Sequence, residues 1–383
     1  MQFLLIQFKM LSMTIIAEIG TAHGGDLNKA FELIDASKDA GADFVKFQWV
    51  YADEILHPDT GFVNLPNGKT RLYDNFKSLE CNEDFYFKCM EYARKKEIKF
   101  ACSPFGIKSF TQLAELKPDA IKIASPEVNH FPMLKKCADC YGKIPVILSS
   151  GVSKLGDIEK AIETIENSKQ ADSVPDSSLP PLTLLHCLTF YPAPEEEYNV
   201  RCVKTLSDIF GIATGISDHS MDPVLVPVLS IAMGGTMIEK HITLSREDSG
   251  LDDPVALEPE MFKVMVHSVH QAEAVLRHSG QNEIYRQLEY EYSKEKLNSI
   301  LGTGVKKLAP AEKQNYGRTN RSLHYMRSLK KGEKVSAGDI AVLRTEKILT
   351  PGISPEFLEM LQGKTLTHDV KNGAGVKLED FMN

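Results

Sequence analysis

The chain has 383 residues, 43% of them hydrophobic and 25% charged, with 25 Gly and 19 Pro scattered along it. That profile excludes a disordered chain, a collagen and a disulfide scaffold. A formal net charge of −8 leaves no basic field able to hold a polyanion by counterion release, so nucleic acid is not an expected partner.

Seven Cys, an odd number without an even framework of short spacings, point to reduced thiols and a cytoplasmic protein. Cys137 and Cys140 form a C-x-x-C without a second pair at zinc-ligand spacing, in a stretch, Leu134 to Tyr141, that reads as helix. The start, MQFLLIQFKMLSM, is apolar but lacks a basic leader and a small-residue cleavage site. It reads as an over-called start or an extra edge segment. No segment has the length and apolarity of a membrane span.

From Thr14 to about Arg277, short apolar or β-branched runs alternate with segments of helical period, the pattern of a parallel sheet covered by helices. Eight strands are predicted: Thr14–Ile19, Phe44–Gln48, Phe100–Ser103, Ala120–Ala124, Val146–Ser149, Leu182–Cys187, Thr214–Ser217 and Met237–His241. Eight in about 260 residues is the count of a (β/α)₈ TIM barrel. The rival, an open doubly wound sheet, lacks a G-x-G-x-x-G after the first strand. A polar helical run, Asn282–Leu297, then Gly302, Gly304 and Pro310 read as a linker. From Arg321 onward, short β elements punctuated by glycines form a second, compact β-rich domain. The expected division is 14–280 barrel, 281–320 linker and 321–383 small domain.

In a barrel the carboxyl ends of all strands converge on one face. Those ends carry Glu18, Lys46, Gln48, Lys122, Ser149, His186, Ser217 and His241. Lys46 and Lys122 sit in apolar strands, where a buried ammonium is costly unless it meets an anion. Two of them in one mouth imply a small anionic substrate, and Ser103, Ser125, Ser149 and Ser217 add the hydroxyls that an oxyanion needs. The alternative is a resident carboxylate such as Glu18 or Glu127 beside each lysine. His219 and His241 follow neighbouring strands, so both imidazoles can approach one ion. With oxygen ligands they suit Mn²⁺, Fe²⁺ or Zn²⁺ rather than Ca²⁺. Each alone could equally pack against a strand end and donate to a carbonyl. His23 and His186 are weaker candidates. Glu18 and Glu127 are candidate proton carriers or sugar-hydroxyl acceptors, and Asp252 lies in an acidic loop that could form a lid.

The ordered motifs IIAEIGTAHGGDLNKAFELIDASKDAGADFVKFQ, IKIASPEV, ILSSGVS, LLHCLTFYPAP, GISDHS and EKHITLSREDSGLDDPVALEP resemble the sialic acid synthase (N-acetylneuraminate synthase) family. The tail RTNRSLHYMRSLKKGEKVSAGDI resembles the antifreeze-like (SAF) domain that closes those enzymes. The resemblance covers residues 14 to 383. It implies condensation of phosphoenolpyruvate with the open-chain aldehyde of an N-acylated hexose, normally N-acetylmannosamine, to give a nine-carbon 3-deoxy ulosonic acid and phosphate. Lys46, Ser103, Lys122, Ser125, Ser149 and Ser217 would bind phosphoenolpyruvate. His219 and His241 would hold a divalent metal, Mn²⁺ first, with Mg²⁺ or Co²⁺ as alternatives, and the metal would polarise the aldehyde oxygen. Glu18, Gln48, Tyr191 and Asp252 would hold the sugar, and Glu127 would assist the water that adds to C2. Arg321 would reach the barrel mouth of the partner in a domain-swapped homodimer.

The chain departs from the family pattern at Ala22 and Thr189, where asparagines are usual, and at Ser103, where threonine is common. Thr189 therefore counts among the substrate-binding candidates. The alternatives are a legionaminic or pseudaminic acid synthase acting on a diacetamido 6-deoxy sugar, an aldol synthase acting on a phosphorylated sugar, and a barrel that has lost catalysis and survives as a binding protein.

Overall fold

The computed structural model describes residues 13–65, 68–167, 179–346 and 348–382. Eight parallel strands close into a barrel: β1 (Thr14–Gly20), β2 (Phe44–Trp49), β5 (Lys99–Pro104), β6 (Ala120–Ile123), β7 (Val146–Ser149), β8 (Leu182–Cys187), β9 (Ala213–Asp218) and β10 (Met237–His241). Each pairs with its neighbours in chain order, and β10 returns to pair with β1. Every predicted strand is present, with ends that shift by at most one residue. The TIM barrel and its small β-rich companion are the fold that the alternation implies.

Helices cover the barrel because their apolar residues recur on one face. Leu27–Asp39 is started by Asp26, whose carboxylate accepts the amides of Asn28 and Lys29, and it buries Ala30, Leu33 and Ile34 against the sheet. Asn82 caps Glu83–Lys95 in the same way. Between β2 and β5 the chain inserts a hairpin, β3 (Phe62–Leu65) and β4 (Gly68–Arg71), and the helix Leu72–Ser78. Neither is among the predicted elements, because four-residue arms are too short to carry a period. The predicted run Asn282–Leu297 is two helices, Gln281–Glu291 and Lys294–Leu301, separated where the Ser293 hydroxyl accepts the amide of Lys296. Cys137 and Cys140 lie in the helix Phe131–Cys140, and burial raises both thiol pKa values. No described helix is long and apolar enough to cross a membrane.

The small domain is built on β11 (Arg321–Tyr325) paired antiparallel with β12 (Ile340–Arg344), around Leu323, Tyr325, Leu329, Leu366 and Val376. Its register sets Arg321 opposite Arg344 at one end of the ribbon. That end docks on the barrel mouth. The amide and carbonyl of Arg321 both bond the Asn129 side chain, at 2.9 and 2.7 Å.

Candidate active site

Inward-facing residues alternate along a barrel strand with period two. In this barrel each strand carries a polar or ionisable inward residue at or near its carboxyl end. Glu18, Lys46, Ser103, Lys122, Ser149, Cys187, Ser217 and Glu239 form a ring at the floor of a cavity of about 450 Å³. Gln48, Ser125, Thr189, Tyr191, His219, His241 and Asp252 stand around it. The cavity thus gathers all the predicted substrate-binding residues except Arg321, and both predicted metal ligands.

The floor is a charge network. Lys46 lies 2.5 Å from Glu18 and 3.8 Å from Glu239, while among the described residues Lys122 pairs only with Glu239, at 3.3 Å. The resident counter-ions of the lysines are therefore Glu18 and Glu239 rather than Glu127, and the four formal charges cancel. Glu239 is not among the residues expected from the sequence, although it lies two residues before His241 in β10 and so shares its face. Burial opposes the charge on each group, and geometry decides the result. It favours the neutral acid at Glu239, but Lys122 and Lys46 outweigh it and draw that carboxyl down to about 2. Burial also disfavours charge on Lys46, yet Glu18 and Glu239 together hold its pKa above the ordinary lysine value. Lys122 shares Glu239 with Lys46, so burial prevails over that carboxylate and lowers its pKa. This under-compensated ammonium is the one with most to gain from an incoming anion.

The hydroxyls differ in their commitments. Ser103 accepts from Lys46 at 3.1 Å, Ser217 donates to Glu239 at 2.9 Å, and Ser125 accepts the Gly151 amide at 3.0 Å. The Ser149 hydroxyl is buried with no hydrogen-bond partner among the described residues, an arrangement that disfavours the site until a polar ligand arrives.

On the opposite wall the rings of His219 and His241 lie 5.6 Å apart, with Tyr191 stacked obliquely on His219 at 4.3 Å. Nδ1 of His219 lies 2.9 Å from the carbonyl of Leu188, to which it can donate, and this leaves Nε2 as the ligating nitrogen. Nδ1 of His241 is 3.9 Å from Asp252. Burial works against a charged His219, but Cys187 and the Leu188 carbonyl raise its pKa to about 9. A cation would have to displace that proton. Among the described residues no group of three or more His, Cys, Asp or Glu side chains lies at ligand spacing. The fit is therefore to an ion held by two imidazoles, with its remaining positions open to oxygen ligands from substrate or water.

Two predicted residues are not brought to the cavity. Glu127 is completely buried in the turn Ser125–Glu127 after β6, with one oxygen 2.5 Å from Nε of Arg321 and the other 2.8 Å from Nη2 of Arg344. Burial alone would raise its pKa, but Arg321 and Arg344 hold it below the ordinary carboxylate range. Arg321 spends its remaining donors on the carbonyls of Glu54, Ile55, Phe105 and Val342, so it braces the small domain against the barrel of its own chain. The small-domain arginine that lines the cavity is Arg344, with its guanidinium over the Phe105 ring at 5.3 Å. Asn315 and Thr319 of the linker also line it, as do Leu72, Phe76 and Leu251. No local pattern marks Asn315, Thr319 or Arg344 in the sequence, because docking alone brings them there, while Leu72 and Phe76 come from the insert between β2 and β5 and Leu251 from the loop after β10. Of the weaker histidines, His186 bonds the Tyr198 carbonyl at 2.6 Å and His23 packs against Phe47 and Phe85. Neither lines the cavity.

A closed (β/α)₈ barrel with this ionisable cavity at the carboxyl ends of its strands, roofed by a small β domain, has the architecture of a barrel enzyme. The chain belongs to the NeuB family, whose model matches residues 33–281, and the SAF domain model matches residues 320–382. The N,N'-diacetyllegionaminic acid synthase of Legionella pneumophila is 33% identical over 369 residues, covering 94% of this chain and 93% of that protein. The crystal structure of the spore coat polysaccharide biosynthesis protein SpsE from Bacillus subtilis matches with a TM-score of 0.80 at 30% identity, over 97% of this chain and 96% of that one. The N-acetylneuraminic acid synthetase of Leptospira borgpetersenii, solved in complex with citrate, matches with a TM-score of 0.60 at 30% identity, over 74% of this chain and 93% of that one.

Proposed function

We propose that the protein condenses phosphoenolpyruvate with the aldehyde of an N-acylated hexose, giving a nine-carbon 3-deoxy ulosonic acid and inorganic phosphate. The observation that carries this reading is the joining, in one cavity, of Lys46, Lys122 and four serine hydroxyls with the pair His219 and His241. Lys122 and Ser149 hold unmet capacity for an anion. Together with Lys46, Ser103, Ser125 and Ser217 they would seat the phosphate and carboxylate of phosphoenolpyruvate. Gln48, Tyr191 and Asp252 would orient the sugar hydroxyls so that its aldehyde carbon faces C3 of the enol. His219 and His241 would hold a divalent cation, Mn²⁺ first, which supplies Lewis-acid polarisation of the aldehyde oxygen. The new bond forms between C3 and the aldehyde carbon, water adds at C2, and phosphate leaves with its bridging oxygen. Glu18, which lines the cavity, is better placed than Glu127 to take the proton from that water.

The apolar side of the cavity, made by Leu72, Phe76, Phe105 and Leu251, favours a second reading in which the sugar is a diacetamido 6-deoxy hexose. Such a substrate is richer in methyl groups than N-acetylmannosamine. The docking of the small domain would also serve a swapped homodimer, in which each protomer's small domain roofs its partner's barrel.

The test is phosphate release from phosphoenolpyruvate with Mn²⁺ across N-acetylmannosamine, its 6-phosphate and the diacetamido 6-deoxy precursors of legionaminic and pseudaminic acids. Release with an unphosphorylated N-acyl sugar is expected. A clear preference for the phosphorylated sugar, or no release with any of them, would overturn the proposal.

A further inference from the structure

We infer that Glu312, in the segment joining the two domains, is a positioning residue for the phosphoenolpyruvate side of the cavity. The inference rests on the function proposed above. Glu312 closes the short turn Pro310–Glu312 and is almost completely buried. One carboxylate oxygen accepts two barrel amides, from Val152 at 2.7 Å and Thr189 at 2.9 Å, and the other accepts the amide of Ala309 at 3.2 Å. A linker carboxylate thus ties together the loops that follow β7 and β8.

The Val152 peptide needs this support. Val152 is buried and β-branched, and it adopts φ +41°, a left-handed conformation that such residues avoid. Its amide is held by Glu312, and its carbonyl accepts from the Asn320 side chain at 3.0 Å, so the linker grips the residue from both sides. Immediately before it, the Gly151 amide donates to the Ser125 hydroxyl. The loops meet closely there, since a Cβ on Gly151 would fall 2.0 Å from the Thr189 hydroxyl and 2.9 Å from that of Ser125. Ser149, whose hydroxyl is unpartnered among the described residues, lies three residues upstream of Val152. A relaxed Val152 peptide would therefore shift the Gly151 amide, the Ser125 hydroxyl it holds, Thr189 and Ser149 together. All of these except the glycine line the cavity, whereas Glu312 touches none of the groups assigned to the sugar.

Removing the carboxylate strands two buried barrel amides and frees the strained peptide. In Glu312→Ala the KM for phosphoenolpyruvate is expected to rise about tenfold or more while the KM for the sugar changes less than about threefold. Glu312→Gln keeps one carbonyl oxygen for the two barrel amides and should recover most of the loss. Asn320→Ala, which releases the other side of Val152, should raise the phosphoenolpyruvate KM by about threefold, and it carries the test with Glu312→Gln if Glu312→Ala does not fold. A purely architectural role would lower the melting temperature and degrade both substrates alike. That result, or an unchanged phosphoenolpyruvate KM in folded Glu312→Ala or Asn320→Ala, would overturn the inference. Calorimetric titration of phosphoenolpyruvate into the full-length wild type and the variants reads the same weakening without turnover. It therefore separates failure of this inference from failure of the proposed reaction.

Discussion

The two ends of the same eight strands obey opposite rules. At the base, Ile16, Phe44, Ala101, Ala120, Ile147, Leu185 and Met237 point inward and form a closed apolar layer. Two residues further along these strands stand Glu18, Lys46, Ser103, Lys122, Ser149, Cys187 and Glu239, nearly all buried to a similar degree. One layer satisfies itself by dispersion and exclusion of water. The other balances two ammonium groups against two carboxylates and leaves a hydroxyl without a partner. Burying ions in this way contributes little to stability and can cost it, so the upper layer makes sense as a site prepared for a ligand, and the lower one as the layer that holds the barrel shut.

This contrast can be broken by exchanging the consequences of mutation. The largest effect is expected from His241→Ala, which removes one of the two imidazoles from the upper wall. Metal-dependent phosphate release should fall by more than about a thousandfold, beyond the usual cost of one oxyanion donor. The melting temperature should stay within a few degrees, because the ring makes no core contact that the barrel depends on. Retained activity in the folded variant would remove the histidine pair from the mechanism. Ile147→Ala, one layer down from Ser149, should do the reverse. It deletes buried atoms from the closed layer and should cost about 2–5 kcal/mol of stability, read by urea unfolding, while both KM values stay within about twofold of wild type. A specific loss of phosphoenolpyruvate affinity from that change would mean that the base and the mouth are mechanically coupled.

The alternation of the two layers is why so much of the fold and site could be read in advance. A strand that runs Ala-Ile-Lys-Ile declares its face by period two, and once eight such strands close, Lys122 and Lys46 must meet. What could not be read were consequences of packing between segments far apart in sequence. Glu239 had a local signal, since it lies two residues before His241 and shares its face. Lys240, between them, points outward to an ion pair with Asp218 at 2.5 Å. Arg344 and Glu312 had no local signal. Arg344 merely ends the apolar strand β12 and Glu312 sits in a polar linker, and only the docking of the small domain and linker brings one to Glu127 and the other to Val152. For the same reason Arg321, conspicuous in the family motif, is found bracing that dock rather than facing the cavity.

The smallest expected effect concerns a group that belongs to neither layer. His130 lies behind the mouth, beside the Glu127 and arginine cluster, and it caps the helix Phe131–Cys140 by accepting the Met133 amide at Nδ1. Burial, reinforced by Arg321 and opposed by Glu127, lowers its pKa to about 4, and burial likewise lowers His23 to about 4 and His186 to about 3. The unfolded chain binds protons at these positions near pH 6.5, before the folded chain does. The neutral folded forms are therefore fully stabilising above that pH, and stability is lost as pH falls from about 6.5 toward about 4. Each histidine steepens the loss by up to about 1.4 kcal/mol per pH unit. The depressed carboxyls Glu127 and Glu239 begin to cost stability only as the unfolded carboxyls protonate near pH 4.5, so they act at the acid edge of this window. His130→Asn keeps a capping acceptor but cannot take the proton, so its unfolding free energy should fall less steeply between pH 6 and 4, by up to that one-proton slope. An unchanged slope, measured by urea unfolding across this range, would show that His130 takes up its proton as readily in the folded chain as in the unfolded one, with Glu127 offsetting both burial and Arg321. The dock of the small domain would then be part of the titrating system and not merely its lid.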